Sequence, residues 1–367
     1  MEKKERIVLD VAFQPQVRTS VDTQRIMLDV LIGLVPALLV AVWQFGFYPL
    51  AVVAISVASA VFFEWGYRKL AKKKNTISDL SAAVTGVLLA CTLPPSTPLW
   101  VPVIGSFFAI VVVKQLYGGI GKNFLNPALA GRAFLLASYA IILGRFEAPR
   151  ALQGVVADAT TMATPLAEMY DAGAMPAYYG FKELFIGTIP GCIGEISALA
   201  LLIGGIYIIA KKVISWRIPV AFIGTVAVLT LIFGREGFGN LEWMVYNVLS
   251  GGLFLGAFFM ATDYASSPVT LNGQLLYGFG CGVITVLIRY FGGFPEGVSY
   301  AILIMNLLTW AIDKAFRRHQ FGVTKEDIAA MKAAASADKK AVKAQKAAET
   351  AVMKAEWAEK AAKEAKR

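Results

Sequence analysis

The residues with the clearest chemical potential lie in one short polar segment, 158–166, between two long hydrophobic stretches. The segment contains three threonines, Thr160, Thr161 and Thr164, whose hydroxyl groups both donate and accept hydrogen bonds. Thr164 directly precedes Pro165, and this pair is typical of a helix start, with threonine as the N-cap and proline at the first helical position. Capping predicts a helix that begins at Pro165, but it assigns the segment no chemistry.

The same residues resemble a known modification motif. Thr161-Met162-Ala163-Thr164, preceded by Asp158, resembles the Ser/Thr-x-Ala-Thr motif of flavinylation, in which the last threonine carries FMN through a phosphoester. The resemblance implies that Thr164 bears the flavin, that Thr161 and Asp158 belong to the motif, and that a flavin transferase acts on it. Met162 stands where glycine is usual. Capping and attachment use the same hydroxyl group, and four residues leave both interpretations open.

The composition defines the environment in which these residues act. Of the 367 residues, 57% are hydrophobic and only 16% are charged, and the mean hydropathy is +0.61. An ordinary soluble domain is less apolar and more highly charged, so the chain is predicted to be a polytopic protein of the lipid bilayer. The net charge of +10 does not indicate a nucleic-acid partner, because the basic residues cluster beside hydrophobic spans and in a C-terminal tail.

An all-α membrane fold with about ten transmembrane helices follows from span length. A helix needs about 20 apolar residues to cross the bilayer. The sequence offers ten stretches that approach this length: 27–47, 49–67, 79–97, 98–117, 125–144, 184–210, 216–233, 241–262, 271–291 and 297–315. The third is interrupted at 93–96, by Leu-Pro-Pro-Ser, and the eighth runs into Asp263. Both are therefore predicted to be broken helices, covered by protein or by a water-filled cavity.

Charge distribution predicts the orientation of the spans. The basic loop 68–74 and the pair Lys211-Lys212 follow even-numbered spans, which places both termini in the cytoplasm of a prokaryotic cell. The segment with Thr164 then lies outside. Leu80-Ser81, Gly86, Thr92 and Pro98 recur as Leu249-Ser250, Gly256, Thr262 and Pro268, which favours two inverted five-helix repeats.

Five regions are predicted on this basis. Residues 1–25 form a cytoplasmic N-terminal segment that leads into the first span without a signal-peptide cleavage site. Residues 26–144 form the first membrane repeat, 145–183 the extracytoplasmic flavin-bearing loop, and 184–318 the second repeat. Residues 319–367 form a cytoplasmic tail rich in Ala and Lys.

Cysteines and acidic residues complete the set of chemically interesting side chains. Cys91, Cys192 and Cys281 each lie in apolar sequence without a CxxC spacing, so buried thiols are expected, and neither a metal site nor an iron–sulfur cluster held by this chain alone. Glu195 falls within the predicted sixth span and Asp263 ends the eighth. Ionisable residues inside a bilayer are costly and usually functional, although hydrogen-bonded structural roles remain an alternative.

Four segments in the chain resemble the signatures of one family. They are Gly118 to Arg132 (GGIGKNFLNPALAGR), Gly194 to Ser197 (GEIS), Phe259 to Asp263 (FMATD) and Pro295 to Gly297 (PEG). Together they resemble the NqrB/RnfD family of ion-pumping oxidoreductase subunits, over about 19–313. The chain lacks the long N-terminal extension typical of the quinone reductase member, so it looks more like the RnfD component of the Rnf ferredoxin:NAD oxidoreductase.

The resemblance implies a function and further site residues. It implies a membrane component that carries covalent FMN on Thr164, works with other Rnf subunits in ferredoxin/NAD electron transfer coupled to Na⁺ or H⁺ translocation, and is not catalytic alone. Asn123 and Asn126, with Gly118 and Gly119, are expected to contact a second, noncovalent flavin such as riboflavin, or else to form a tight turn that caps the fifth helix. An ion route is expected at Glu195, Asp263 and Glu296. Alternatives are an NqrB-like component of a quinone reductase and a non-redox transporter or channel.

Overall fold

A computed structural model of the chain describes residues 22–150, 161–172, 176, 179–234, 239–293, 296–316 and 337. The chain divides into two compact units, Met1–Phe316 and Arg317–Arg367. Apart from residue 337, the second unit lies outside the described residues, as do the predicted N-terminal segment up to 21 and Asp158. The described part is helical, and its β pairing is a single isolated bridge between Glu147 and Thr161.

The helices before the Thr164 segment follow the order of the predicted spans. They are α1 (Thr23–Phe45), α2 (Tyr48–Leu70), α3 (Ser81–Cys91), α4 (Trp100–Phe107, continued by a π-helix Phe108–Gln115), α5 (Pro127–Ser138) and α6 (Ala140–Leu143). A short 3₁₀ turn, Ile77–Asp79, precedes α3. Each predicted span of this half therefore contains a helix, although several helices are shorter than the apolar stretch that predicted them.

The remaining helices begin after Thr164. They are α7 (Pro165–Ala167, continued by a π turn Glu168–Ala172), α8 (Phe181–Ile186), α9 (Ala198–Ala210), α10 (Arg217–Ile232), α11 (Asn240–Leu249), α12 (Leu253–Leu255, continued by a π-helix Gly256–Met260), α13 (Leu271–Phe291) and α14 (Val298–Ala315). The helix start at Pro165 is confirmed, with Thr164 as its N-cap.

Length and composition identify four helices as candidate membrane spans, namely α1, α2, α13 and α14. The pair formed by α11 and α12 with its π-helix adds a fifth if it counts as one span bent by 59°. Shorter apolar helices, including α3, α9 and α10, accompany them. The described part of the chain is therefore a helical protein with several membrane-crossing candidates.

The predicted sixth span is wrong as a continuous helix. α8 ends at Ile186, the backbone is non-helical over 187–197, and α9 begins at Ala198. Gly187, in the left-handed region at φ 105°, ends α8, and Pro190 cannot continue a helix. Ser197 starts the next helix by accepting a hydrogen bond from the N–H group of Ala200. Glu195 consequently lies in the irregular segment and not inside a helix.

Two short helices end where the sequence predicted breaks in the third and eighth spans. α3 ends at Cys91, just before the Pro94-Pro95 pair, and the π-helix after α12 ends at Met260, just before Asp263. A residue with left-handed backbone precedes each helix: Leu80, at φ 60°, precedes α3, and Gly252, at φ 66°, precedes α12. The break between α11 and α12 at Gly251-Gly252 was not predicted.

Close packing of α13 against α10 depends on a glycine. A Cβ atom on Gly278 would lie 2.8 Å from the carbonyl oxygen of Ile218 and 2.8 Å from Cβ of Ala221. Since one of these neighbours is backbone, it moves only if the helices separate. Gly224, on the exposed side of α10, has no atom within 4 Å of the same position.

We expect Gly278→Ala to destabilise the protein by about 1–3 kcal/mol, the usual cost of overpacking. Gly224→Ala is the matched control, and we expect it to be neutral or stabilising because alanine favours helix. The measurement is thermal unfolding of the purified protein in detergent. Equal melting temperatures for the two variants would contradict the tight contact between α10 and α13.

Candidate functional site

Thr164 lies buried at the start of α7. Only 6% of its surface is exposed, and its Oγ1 accepts a hydrogen bond of 3.3 Å from the N–H group of Ala167. The preceding backbone is held by the Glu147–Thr161 bridge and by a 3.0 Å hydrogen bond from the N–H group of Met162 to the carbonyl oxygen of Phe146. The side chain of Thr161 is exposed. Of the two threonines of the motif, only Thr164 therefore faces the protein interior.

A cavity of about 200 Å³ borders Thr164, and we call it the Thr164 cavity. Most of its wall is apolar, from residues of α5, α6 and the loops beside them. Its lining residues are Thr92, Pro94, Arg132, Ala133, Leu136, Ala140, Leu143, Gly144, Phe146, Thr164, Ala167, Glu296, Ser299 and Tyr300. Arg132 and Glu296 are the charged side chains among these residues. An apolar pocket with few polar groups is the usual form of a cofactor site.

Arg132 connects three elements at this cavity. It lies on α5 with 8% of its surface exposed, and its Nη2 donates to Oε2 of Glu296 at 2.5 Å. Its Nη1 donates to the carbonyl oxygen of Thr92, the C-cap residue of α3, at 2.8 Å. The partial negative charge at a helix C-terminus favours a cation there. The guanidinium is thus held by one carboxylate and one helix end.

Glu195 approaches the same place from the irregular segment before α9. It is 8% exposed, and its Oε1 accepts a 2.9 Å hydrogen bond from the N–H group of Cys192. A Cβ atom on Gly252 would lie 2.5 Å from Oε2 of Glu195, so the carboxylate sits directly against the backbone at the start of α12. Only glycine allows this approach.

Thr164, Glu195 and Glu296 meet at a second, smaller cavity of about 10 Å³. One ligand atom from each of Cys192, Glu195 and Glu296 lies within 4.8 Å of the others. Arg132 bonds to Glu296 and approaches the Cys192 sulfur at 3.8 Å, so it compensates part of the negative charge. Thr164, predicted to carry the flavin, is therefore a neighbour of Glu195 and Glu296, which were predicted for the ion route.

Two acids in the segment around Thr164 are partly shielded from water. Burial raises the pKa of the Glu147 carboxyl and that of the Glu168 carboxyl, because removal from water disfavours the charged form. Glu168 follows α7 directly, and its N–H group donates to the carbonyl oxygen of Thr164 at 3.0 Å.

Asn123, Asn126 and Asp263 gather at a separate cavity of about 90 Å³, which we call the Asn123 cavity. It lies between the start of α3, the start of α5 and the end of the π-helix after α12. Its polar lining residues are Ser81, Thr85, Lys114, Asn123, Asn126, Thr262, Asp263 and Tyr264. Nδ2 of Asn123 donates to Oδ2 of Asp263 at 3.2 Å, and Oγ of Ser266 donates to the same oxygen at 2.8 Å.

Asn126 holds this region together through its amide group. Its Oδ1 accepts from the N–H groups of Ala128 and Leu129 as the N-cap of α5, and its Nδ2 donates to the carbonyl oxygen of Met260 at 3.0 Å. The capping role considered in the sequence is therefore present. Gly118 and Gly119 do not line the cavity. They adopt φ values of 116° and 96° in a turn whose Gly119 backbone packs against Arg68.

Sequence reasoning missed a buried ion pair at the edge of the Asn123 cavity. Nζ of Lys114 lies 2.8 Å from Oε2 of Glu64 and donates to Oγ of Ser81 at 2.6 Å. The Lys114 and Glu64 side chains are 3% and 1% exposed. The argument that identified Glu195, that ionisable residues inside the bilayer are usually functional, also applies to Lys114 and Glu64, since both lie inside predicted spans. The pairing itself joins residues 50 positions apart and has no local signal.

The helical fold, with its apolar spans and its paired ionisable groups in the interior, is that of a multi-pass membrane protein. The chain belongs to the NQR2, RnfD, RnfE family, whose family model matches residues 10–322.

Three relatives align with this chain over more than nine-tenths of their own length, and each is the D component of its complex. The relative from the Na⁺-translocating ferredoxin:NAD⁺ oxidoreductase complex of Acetobacterium woodii is 50% identical over 321 residues, which are 86% of this chain and 96% of the relative. The relative from the proton-translocating ferredoxin:NAD⁺ oxidoreductase complex of Clostridium ljungdahlii is 40% identical over 325 residues, 87% and 97% of the two chains. The relative from an ion-translocating oxidoreductase complex of Stutzerimonas stutzeri is 35% identical over 332 residues, 83% and 93%.

Proposed function

We propose that this chain is the RnfD component of an Rnf-type ferredoxin:NAD⁺ oxidoreductase complex, which couples electron transfer to the translocation of Na⁺ or H⁺. The observation that carries the proposal is 50% identity across 96% of a relative that is named for such a complex. The chain acts with the other subunits of the complex and is not catalytic alone. Relatives named for sodium and for protons align over 86% and 87% of this chain, so the proposal covers both ions.

The proposal includes covalent FMN on Thr164. The Thr164 oxygen acts as an acceptor in its capping bond, so esterification replaces the hydroxyl hydrogen and leaves that contact available. The adjacent apolar cavity suits a flavin ring, and Arg132 suits the negative charge of the phosphodiester. When bound, FMN supplies one- and two-electron transfer. Because Thr164 is 6% exposed, we infer that a flavin transferase acts before the segment packs. The donor is a flavin dinucleotide: the threonine oxygen attacks the flavin-side phosphorus, the P–O–P bond breaks, and the nucleoside monophosphate leaves and takes up the hydroxyl proton.

A second, noncovalent flavin such as riboflavin is proposed for the Asn123 cavity. Asn123 and Asn126 both line it, as expected for amide groups near a flavin edge, and Lys114 and Asp263 add one charge of each sign. Gly118 and Gly119 form the neighbouring turn and are not part of this proposed flavin site. The amide of Asn126 is largely engaged in the fold, which makes Asn123 the better candidate for ligand contact.

An ion route through two charged sites is the third part of the proposal. Glu195 and Glu296 lie at the smaller cavity beside Thr164, and Asp263 lies at the Asn123 cavity. The two sites are joined by α5, on which Arg132 follows the N-cap Asn126 by six residues, about 9 Å at the helical rise. We propose two inverted repeats around these sites, and each half contains a short helix preceded by a left-handed residue, α3 after Leu80 and α12 after Gly252.

Flavin content separates this function from its alternatives. After acid precipitation of the purified complex, we expect FMN fluorescence to remain with this polypeptide on a denaturing gel, and a noncovalent flavin to appear in the supernatant. A colourless polypeptide with ion transport would favour a non-redox transporter. Reduction of quinone in place of NAD⁺ by the purified complex would favour an NqrB-like component.

Sidedness gives a separate prediction. From the distribution of basic residues, we infer that the Thr164 segment lies outside the cell and the basic segment 68–74 inside. Lys182 and Lys69 are both exposed, and the native cysteines are all buried, so background labelling is low. We expect Lys182→Cys to react with an impermeant thiol reagent in intact cells, and Lys69→Cys to react only after lysis. The reverse pattern would overturn the proposed orientation.

A further inference from the structure

The charges around the Thr164 cavity are few and opposed. Among the described residues that line it, Arg132 supplies the positive charge and Glu296 the negative one, and the two are bonded to each other at 2.5 Å. Glu195 lies at the smaller cavity that also borders Thr164 and Glu296. The Arg132–Glu296 pair therefore borders the place proposed for the flavin, and Glu296 also borders the smaller cavity with the second carboxylate.

A flavin on Thr164 changes the charge in this region. The phosphodiester brings one negative charge. Two electrons from reduced ferredoxin, passed on through the partner subunits, and one proton from water leave the ring one charge more negative than before. In a site shielded from water, charges interact more strongly than at a surface. A cation beside the ring stabilises its reduced form, and an anion destabilises it.

We propose that the Arg132–Glu296 pair sets the reduction potential of the flavin on Thr164, with the two side chains acting in opposite directions. This inference rests on the proposed attachment of FMN to Thr164. Arg132 is a positioning residue for charge, held by the end of α3 on one side and by Glu296 on the other. Reduction of the flavin draws Arg132 toward the ring and weakens its hold on Glu296. That carboxylate, next to Glu195, then becomes available to a cation or a proton.

The test is a spectroelectrochemical titration of the covalent flavin in the purified complex. We expect Arg132→Gln to lower its midpoint potential and Glu296→Gln to raise it. Each shift should reach about tenfold in the equilibrium between oxidised and reduced flavin, which is about 30 mV for a two-electron couple. Arg132→Lys keeps the charge and should stay closer to the parental potential than Arg132→Gln.

Arg68→Gln provides the matched control. Arg68 is also a buried arginine, 9% exposed, with a carboxylate partner, Glu64 at 3.8 Å, but it lines neither the Thr164 cavity nor the Asn123 cavity. We expect it to leave the potential of the covalent flavin unchanged. Shifts of the same sign in Arg132→Gln and Glu296→Gln would indicate mere structural damage and overturn the proposal, as would an unmoved potential in Glu296→Gln.

Different results contradict the attachment of FMN to Thr164 and the role of the Arg132–Glu296 pair. Absence of covalent flavin from the parental polypeptide contradicts the proposed function itself. If the parental polypeptide carries the flavin but Glu296→Gln leaves its midpoint potential unchanged, only the role of the charge pair is contradicted. If Arg132→Gln prevents assembly, Glu296→Gln and Arg132→Lys still decide the question, because the first must raise the potential and the second must remain near the parental value.

Discussion

We expect Thr164→Asn to lose all covalent flavin while the protein still folds and assembles. Asparagine is as good an N-cap as threonine, so it can replace the capping bond to Ala167 at the start of α7. It has no hydroxyl group and cannot form the phosphoester. Loss of flavin in this variant therefore reports on the bond to FMN and not on the stability of α7.

Thr161→Val is the companion variant. Thr161 is exposed, and its bridge to Glu147 is made by backbone atoms, so a side chain of similar shape preserves the local structure. We expect most of the covalent flavin to remain. The measurement is in-gel flavin fluorescence, normalised to protein. Fluorescence kept by Thr164→Asn and lost by Thr161→Val would move the attachment site to Thr161.

The second large effect concerns the carboxylates. We expect Glu195→Gln and Asp263→Asn to reduce the number of ions moved per electron several-fold, with electron transfer and flavinylation retained. Burying a carboxylate in a bilayer costs about 2.5–3.5 kcal/mol on insertion scales, and a bound cation offsets that cost. An amide oxygen can still accept from Cys192 in one case, and from Ser266 and Asn123 in the other.

Because the amides keep these hydrogen bonds, a structural role predicts little change, whereas an ion-binding role predicts a large one. Glu242→Gln is the control, since Glu242 is an exposed acid in the first turn of α11. Transport by purified complex in vesicles, measured together with electron flow, gives the ratio. Parental ratios in both neutral variants would exclude Glu195 and Asp263 from the route.

Local features of the fold could be predicted from the sequence because their causes are local. Thr164 and Pro165 contain their own capping geometry, and Pro94-Pro95 follows the end of α3. The sixth span was misjudged because the hydropathy of 184–210 is high throughout, while the glycines and proline between 187 and 194 break the helix. A window average hides a break made by few residues.

The composition of the sites was predictable, but their arrangement was not. Glu195 and Asp263 were identified as candidate functional residues because burying a charged side chain in apolar sequence is energetically costly. Nothing local indicates that Thr164, Glu195 and Glu296 share one cavity, or that Asn123 reaches Asp263 over 140 positions. The partner of Arg132 is 164 positions away. Such contacts depend on how the broken helices pack, which hydrophobic periodicity does not encode.

Ion uptake into inverted membrane vesicles during the oxidation of reduced ferredoxin by NAD⁺ tests the central claim most directly. The claim is that electrons pass through a flavin on Thr164 of this chain and thereby drive the ion. Vesicles with the parental complex should accumulate Na⁺ or H⁺, and vesicles with Thr164→Asn should accumulate neither. Equal uptake by the two, with the variant free of covalent flavin, would contradict the account.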